Sequence, residues 1–470
     1  MFFQMSPHRI QSGIRSGETK IAIVGLGQIG LPQALHFVRE GASVIGVDID
    51  ERKIGLIKQG GCPSGMKEHA MMFNLFGTSD NFEATTDTVS AVRNSKIHIL
   101  CLPTPLSEDN TPDFSALTSA CDKVGRGLRK GNLVIVESSV YPGVTTNTVK
   151  PILEKESGLK AGSDFGLAYC SERIDPGNTK HRLDNTPRVI GGISDESITA
   201  ATAVYGIIIK APITRVKNCQ TAELVKLVEN VYRDINIAFT NEIALLCEKM
   251  DIDVLEVLDA ASTKWSFMPH IPGAGVGGMC IPINPYYLLQ CARENGTDLP
   301  LVRQARNINE NMPRHMVELT VKALRRINIP VEKARVCVLG LAYKADVDDY
   351  RGAPGEVIAA ELKKMGAEVV CHDPLVAPEN KALKFKGSLE EAVKSVDCIV
   401  IATDHSAFES LDLKAIAGLA NSPLAIVDGR HVLTPKEVED MGIAYTGIGR
   451  TGDSSLNIWD FRAKLKEKRA

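Results

Sequence analysis

Apolar residues along this chain fall into two patterns, short unbroken runs and longer stretches in which they return every third or fourth position. The runs Lys20 to Val24, Ala42 to Val47, Ile97 to Leu102, Leu133 to Glu137, Leu167 to Cys170 and Arg188 to Ile190 read as buried strands, with helical stretches such as Leu31 to Glu40 between several of them. A second set, Arg335 to Leu339, Glu368 to Cys371, Asp397 to Ile401 and Leu424 to Val427, alternates with the helical stretches Gly355 to Lys364 and Leu389 to Lys394. Strands alternating with helices pair most economically as a parallel sheet with helices on both faces. From Thr221 to Met250 the residues Leu224, Leu227, Val228, Val231, Ile235, Ala238, Phe239, Ile243 and Leu246 keep a helical period. At about 1.5 Å per residue that helix runs to roughly 45 Å, enough to span two domains or to support a dimer. Helical stretches at Val254 to Ala261, Pro285 to Arg293 and Leu301 to Ile327 follow, with Pro313 starting or kinking the last.

The pattern predicts an α/β chain with two Rossmann-like, doubly wound parallel sheets joined by a helical domain with a long central helix. The expected boundaries are a loose tail over 1–17, a nucleotide-binding domain over 18–210, a helical domain over 211–328 and a second sheet domain over 329–470. A chain of 470 residues is too long for one ordinary core, which fits several units. A net charge of −3 gives no reason to expect nucleic acid or an anionic membrane as partner, and no apolar run approaches the length of a membrane span. The eleven cysteines stand singly, without zinc-ligand spacing or a neighbouring His cluster, so no metal is expected and the thiols fit a cytoplasmic protein. Cys101, Cys337, Cys371 and Cys398 sit inside apolar runs, as core residues do.

Several stretches carry candidate chemistry. Gly25-Leu-Gly27-Gln28-Ile29-Gly30 follows the first strand and opens a helix, where the first glycine makes the turn, the second lets backbone approach a pyrophosphate and the third lets helix pack on strand. Asp48, at the end of the second strand, is placed to accept from ribose hydroxyls and to repel a 2′-phosphate, so NAD is the expected cofactor. Pro103-Thr104-Pro105, Ser138-Ser139 and Ser171-Glu-Arg-Ile-Asp-Pro-Gly177 follow later strands, where ligands of such sheets lie, although proline and serine also serve ordinary turns. Lys226 and Asn230 are one turn apart on the long helix and can point an ammonium and an amide at one reacting oxygen, or form a solvated stripe. In Gly273 to Asn284, GAGVGGMCIPIN, four glycines precede Cys280, which reads either as a presented nucleophile or as an incidental thiol in a surface loop. Lys344 and Arg351 follow the first strand of the second sheet, which lacks the three-glycine pattern; they can hold a phosphate or remain solvated.

Taken together, GLGQIGLP at Gly25 to Pro32, LPTP at Leu102 to Pro105, AELVKLVEN at Ala222 to Asn230, GVGGMCIP at Gly275 to Pro282 and GLAYKADVDDYR at Gly340 to Arg351 resemble the nucleotide-sugar 6-dehydrogenases. The resemblance implies four-electron oxidation of a UDP-sugar's primary alcohol to a carboxylate with NAD, in a homodimer built on the central helix. It implies Cys280 as nucleophile, Lys226 and Asn230 as stabilisers of the oxyanion, Glu172 as a carboxylate of the pocket, and Ser139 where a threonine usually positions water. Asn284 stands where an aspartate is usual and cannot accept a proton. Cofactor contacts are implied at Gly25, Gly27, Gln28, Ile29, Gly30, Asp48, Lys53, Thr104, Ser139 and Arg351. Substrate contacts are implied at Glu172, Arg173, Lys226, Asn230, His270, Gly273, Gly277, Gly278 and Lys344. Other departures are Gln28 for a usual Tyr, Ser171 for a usual Pro, Met279 where His is common, and no acidic-Pro-Gly signature around residues 65 to 72. The segment after Ser171 is similar to the version found in UDP-N-acetylglucosamine and UDP-N-acetylmannosamine dehydrogenases, which makes an N-acetylated sugar the expected substrate. The alternatives are a UDP-glucose 6-dehydrogenase, a nucleotide-sugar-binding protein whose turnover Asn284 impairs, and a two-electron 3-hydroxyacid dehydrogenase that does not need Cys280.

Overall fold

The structure is a computed structural model and describes residues 1–63, 67–175, 177–178, 180–376 and 383–469. Pro176, in the segment after Ser171, and residues 64–66, in the stretch compared with the acidic-Pro-Gly signature, lie outside the described residues. The chain folds into two compact units, one of Met1–Glu229 with Tyr286–Asp298 and one of Asn230–Pro285 with Leu299–Ala470. The division falls within a single helix, Cys219–Met250, so the helical stretch expected as a domain over 211–328 is shared between the two units.

The first unit is built on an eight-stranded sheet of β1 (Ile21–Val24), β2 (Val44–Val47), β3 (Phe82–Thr85), β4 (Ile97–Leu100), β5 (Leu133–Val136), β6 (Gly166–Cys170), β7 (Arg188–Gly192) and β8 (Ile213–Arg215). Its order is β3-β2-β1-β4-β5-β6-β7-β8. The six inner strands are short and fully buried because both faces are covered, whereas the edge strands β3 and β8 are partly exposed. Ile21 and Ile23 pack with the helices Gly30–Arg39 and Asp195–Ile208, whereas Ala22 and Val24 pack on the opposite side with Ser115–Gly127. All pairings are parallel except β6 with β7, which run antiparallel. No described residue between them is helical, and an antiparallel neighbour can be reached by a loop without a crossover helix.

The tail over 1–17 is not loose, as the sequence reading expected. Phe2–Gln4 and Pro7–Arg15 are helical, and Phe3, Ile10 and Ile14 are fully buried in the first unit's core. The four-residue step from Ile10 to Ile14 puts both on one face, which lies on the alanine-rich helix Asp195–Ile208. Gln11 Nε2 donates to the Ala203 carbonyl at 3.1 Å.

The second unit carries a six-stranded, wholly parallel sheet of β9 (Arg335–Leu339), β10 (Glu368–His372), β11 (Lys384–Phe385), β12 (Cys398–Ile401), β13 (Ala425–Asp428) and β14 (Ala444–Gly447), in the order β11-β10-β9-β12-β13-β14. Val336 and Val338 face one core, Cys337 and Leu339 the other. The helix Pro300–Arg326 continues through Pro313, whose ring lies against Gly275. Cys337, Cys371 and Cys398 are buried as their surroundings imply, and Cys101 is half-buried.

Candidate active site

In the first unit the turn after β1 has the geometry of a dinucleotide cradle. Gly25 takes φ 98°, and a Cβ there would lie 2.4 Å from the Cys101 carbonyl oxygen. A Cβ on Gly30 would lie 1.9 Å from the Gly25 carbonyl oxygen, so the helix Gly30–Arg39 closes on the strand only with glycine at that position. A Cβ on Gly27 would meet nothing within 4 Å, which leaves its backbone approachable, with Gln28 and Ile29 completing the turn. Just beyond β2 the buried Asp48 accepts from Leu26 N at 2.9 Å and from Asp50 N at 3.0 Å, and Lys53 Nζ lies 2.6 Å from its Oδ2. Asp50 caps the helix Glu51–Lys58, which carries Lys53. A carboxylate held at a strand end beside an open glycine turn fits the adenosine ribose and pyrophosphate of NAD.

At the carboxyl ends of β4, β5 and β6 the same unit gathers Thr104, Ser139, Glu172, Arg173 and Lys226. Thr104 Oγ1 donates to the Ser139 carbonyl at 2.8 Å, and the buried Tyr287 donates to the Thr104 carbonyl. Glu172 and Lys226 are both buried, with Nζ 3.5 Å from Oε2 and a further hydrogen bond from Nζ to the Glu172 carbonyl. Arg173 pairs with Glu229 and donates to the Pro187 carbonyl at 3.0 Å. Beneath them lies a polar group that no motif suggested. Arg188 Nη1 donates to Glu137 Oε1 at 3.0 Å and to the Ser171 carbonyl at 2.9 Å, and the Tyr205 hydroxyl donates to Glu137 Oε2 at 2.9 Å. Burial pushes the Glu137 carboxyl up, against the opposing charge of Arg188.

In the second unit the glycine loop is fastened along its length. Gly273 N donates to Asn241 Oδ1 at 2.9 Å, and Asn241 Nδ2 donates to Asn309 Oδ1 at 2.9 Å. Asn309 and Arg306 are in turn held by the buried Asp234. Gly277 lies against backbone, since a Cβ there would be 2.6 Å from the Gly352 carbonyl oxygen. Gly278, at φ 87°, donates to the Arg351 carbonyl at 3.0 Å. Cys280 is exposed, and its carbonyl accepts from Asn284 N at 3.0 Å, where the helix Asn284–Glu294 begins. Asn230 Nδ2 donates to Asn284 Oδ1. Arg351 donates to Asp349 at 2.9 and 2.6 Å and is close enough to Cys280 to feel its charge. Arg351 lies in the second unit beside Gly278. Lys344 Nζ lies 6.0 Å from the Tyr343 ring centroid, and His270 Nδ1 is 3.2 Å from the Met268 carbonyl oxygen.

The expected residues thus fall into two sets, one in each unit. Three consecutive family models match the chain, described as the NAD binding domain over 19–209, the central domain over 220–311 and the UDP binding domain over 337–435 of the UDP-glucose/GDP-mannose dehydrogenase family. The chain belongs to the UDP-glucose/GDP-mannose dehydrogenase family. This dehydrogenase is 38% identical over 438 residues to the UDP-N-acetyl-D-mannosamine dehydrogenase of Pyrococcus horikoshii, covering 92% of this chain and 99% of that one. It is 34% identical over 419 residues to the UDP-N-acetyl-D-glucosamine 6-dehydrogenase of Pseudomonas aeruginosa, covering 88% and 97%. The solved structure of the Pyrococcus horikoshii UDP-D-ManNAc dehydrogenase superposes with a TM-score of 0.85 at 37% identity, covering 93% of this chain and all of that one. It is an NAD-dependent dehydrogenase, and no described helix is long and apolar enough to cross a membrane.

Proposed function

We propose that this dehydrogenase oxidises the sixth carbon of a UDP-N-acetylhexosamine, of the manno or gluco series, from alcohol to carboxylate through covalent attachment to Cys280. Cys280 carries the reading, as the single exposed cysteine among the described residues, on a loop whose glycines are held by Asn241, Gly352 and Arg351. The buried thiols are poor nucleophiles by contrast; burial pushes those of Cys121 and Cys371 up to about 12. The Cys280 carbonyl accepts from Asn284 N where the helix Asn284–Glu294 begins, and the Arg351 carbonyl accepts from Gly278 of the same loop.

Asp48, Lys53 and the Gly25 to Gly30 turn would hold NAD, which would supply the hydride acceptor. The developing alkoxide is met by the ammonium of Lys226 and the amide of Asn230, one turn apart on one helix, and such donors contribute most where charge builds up. The Cys280 sulfur adds to the aldehyde to give a thiohemiacetal, and loss of a second hydride, to a second NAD, leaves a thioester on the same sulfur. Water then displaces the thiolate and releases the acid. Asn284 cannot take the proton of that water, so Glu172, beside Lys226, is the carboxylate assigned to it. The relatives named for N-acetylated sugars support the choice of substrate, as do Glu172 and Arg173 at the end of β6. Side-by-side kcat/KM measurements on UDP-N-acetylglucosamine, UDP-N-acetylmannosamine and UDP-glucose test it; a preference for UDP-glucose would overturn the assignment.

The protein is assigned as a cytoplasmic homodimer. Leu224, Val228, Tyr232, Phe239, Leu246 and Met250 are exposed along the helix Cys219–Met250, a stripe of the kind that a second copy covers. A monomeric mass in solution at working concentration would remove that assignment.

A further inference from the structure

The UDP-binding match ends at residue 435, yet the chain continues into a helix, Ile458–Arg469, whose Ile458 and Phe461 are fully buried in the second unit. This helix reaches the glycine loop by two routes. Ile458 N donates to the His431 carbonyl at 2.6 Å, and His431 Nε2 lies 3.1 Å from the Pro272 carbonyl oxygen, one residue before Gly273. Arg462, 5.3 Å from the Trp459 ring, donates to Asp404, whose other oxygen accepts from Arg430 Nε at 2.8 Å. The Arg430 side chain lies against Gly273, where a Cβ would sit 2.5 Å from its Nη1 and 3.4 Å from the Gly429 carbonyl oxygen. Asp404 is buried and is held well below the usual carboxylate range, because the charges of Arg430 and Arg462 outweigh its desolvation.

A buried carboxylate shared by two guanidinium groups fixes both, since each oxygen is committed to one fork. We propose that Arg462 is a positioning residue for the active-site loop: acting through Asp404 and Arg430, the helix Ile458–Arg469 sets the path of residues 272–280 and so the placement of Cys280. The proposal rests on Cys280 being the reacting thiol. Arg462 touches no reacting atom. Its effect is on geometry, and a displacement of about 1 Å at a reacting group is enough to cost on the order of a hundredfold in rate.

The test compares Arg462→Ala, Arg462→Lys and Lys464→Ala with wild type. Lys464→Ala removes a different tie of the same helix, the 3.3 Å contact with Asp259. Hydrogen–deuterium exchange of peptides covering 272–280 reads the loop directly, and UDP-sugar oxidation is measured in parallel. Arg462→Ala is expected to speed exchange at Gly273 by about tenfold or more and to lower kcat by a similar factor, with KM for NAD unchanged. Arg462→Lys should recover part of both, and Lys464→Ala should alter neither. Exchange within about twofold of wild type in Arg462→Ala would overturn the proposal, and so would faster exchange with undiminished kcat. Failure of the Cys280 assignment is read separately, from acid formation by Cys280→Ser.

Discussion

Replacing Arg188 by methionine keeps most of the side chain's length and removes only its guanidinium. Arg188 and Glu137 are almost completely buried, with side-chain exposures of 1% and 0%, so neither partner can turn to water when the other is lost. The Ser171 carbonyl loses its 2.9 Å donor, which costs about 1–3 kcal/mol for a buried acceptor. Breaking a buried ion pair from one side costs about 3–5 kcal/mol in all. Part of that loss is recovered by protonation. Burial already raises the Glu137 carboxyl, and removing the positive charge beside it raises it further. A carboxyl whose folded value lies above its unfolded value binds more protons when folded, so stability is greatest at low pH and falls as pH rises from the unfolded value towards the folded one. Arg188→Met is therefore expected to be destabilised by about 3 kcal/mol at pH 8 and by less at pH 5. Trp265 and Trp459 both lie in the second unit, so tryptophan fluorescence does not report on this site. Hydrogen exchange of β5, β6 and β7 amides does. A loss under about 1 kcal/mol at pH 8, or one that grows as pH falls, would refute the reasoning. The double variant Glu137→Leu with Arg188→Met should return most of the lost stability, because a well-packed apolar pair often matches a buried ion pair.

Cys280→Ser should stop acid formation while leaving stability within about 0.5 kcal/mol, since the side chain is exposed; product analysis and denaturant unfolding check the two halves. Asp48→Asn removes the charged acceptor at the end of β2 and should raise KM for NAD by about tenfold to a hundredfold, with a smaller effect on NADP, as steady-state titration would show. Asp373 sits at about 2: burial opposes ionisation, but His405 at 3.0 Å and the backbone donors of Leu375 and Ala342 outweigh it. A folded value below the unfolded one gives stability that is present above the unfolded value and lost as pH falls through the folded one. Wild type should thus exceed Asp373→Asn by about 2 kcal/mol near neutrality, with the gap closing between about pH 4 and pH 2 in acid unfolding.

The inner strands of both sheets were legible because a strand covered on both faces must be a continuous apolar run, as Ile21–Val24 and Cys398–Ile401 are, whereas the edge strands β3, β8, β11 and β14 are only partly buried, carry no such run and were not read. The cradle was legible for a comparable reason: the constraints on Gly25 and Gly30 are set by backbone only a few residues away or by the neighbouring strand end. The long helix could be read from its period, but not the place where the two units divide within it, which depends on how each end packs. The helix Pro7–Arg15 escaped notice because its apolar residues are few and its partner, Asp195–Ile208, is far along the chain. The supports of the site were hidden in the same way. Arg188 is 51 residues from Glu137, Asn309 is 68 from Asn241, and Arg462 is 58 from Asp404. Each looks in sequence like an ordinary polar residue, and only the fold gives it a partner. Asn284 was visible as a departure, and its Oδ1 accepts from Asn230 Nδ2.

The central claim, that one active site carries an alcohol through to an acid on Cys280, is tested most directly by the NADH formed per UDP-N-acetylhexosamine consumed in a reaction run to completion. Two NADH are expected for each sugar, with the uronate as sole product. One NADH with aldehyde as the product would contradict it, and so would two NADH from Cys280→Ser at the wild-type rate.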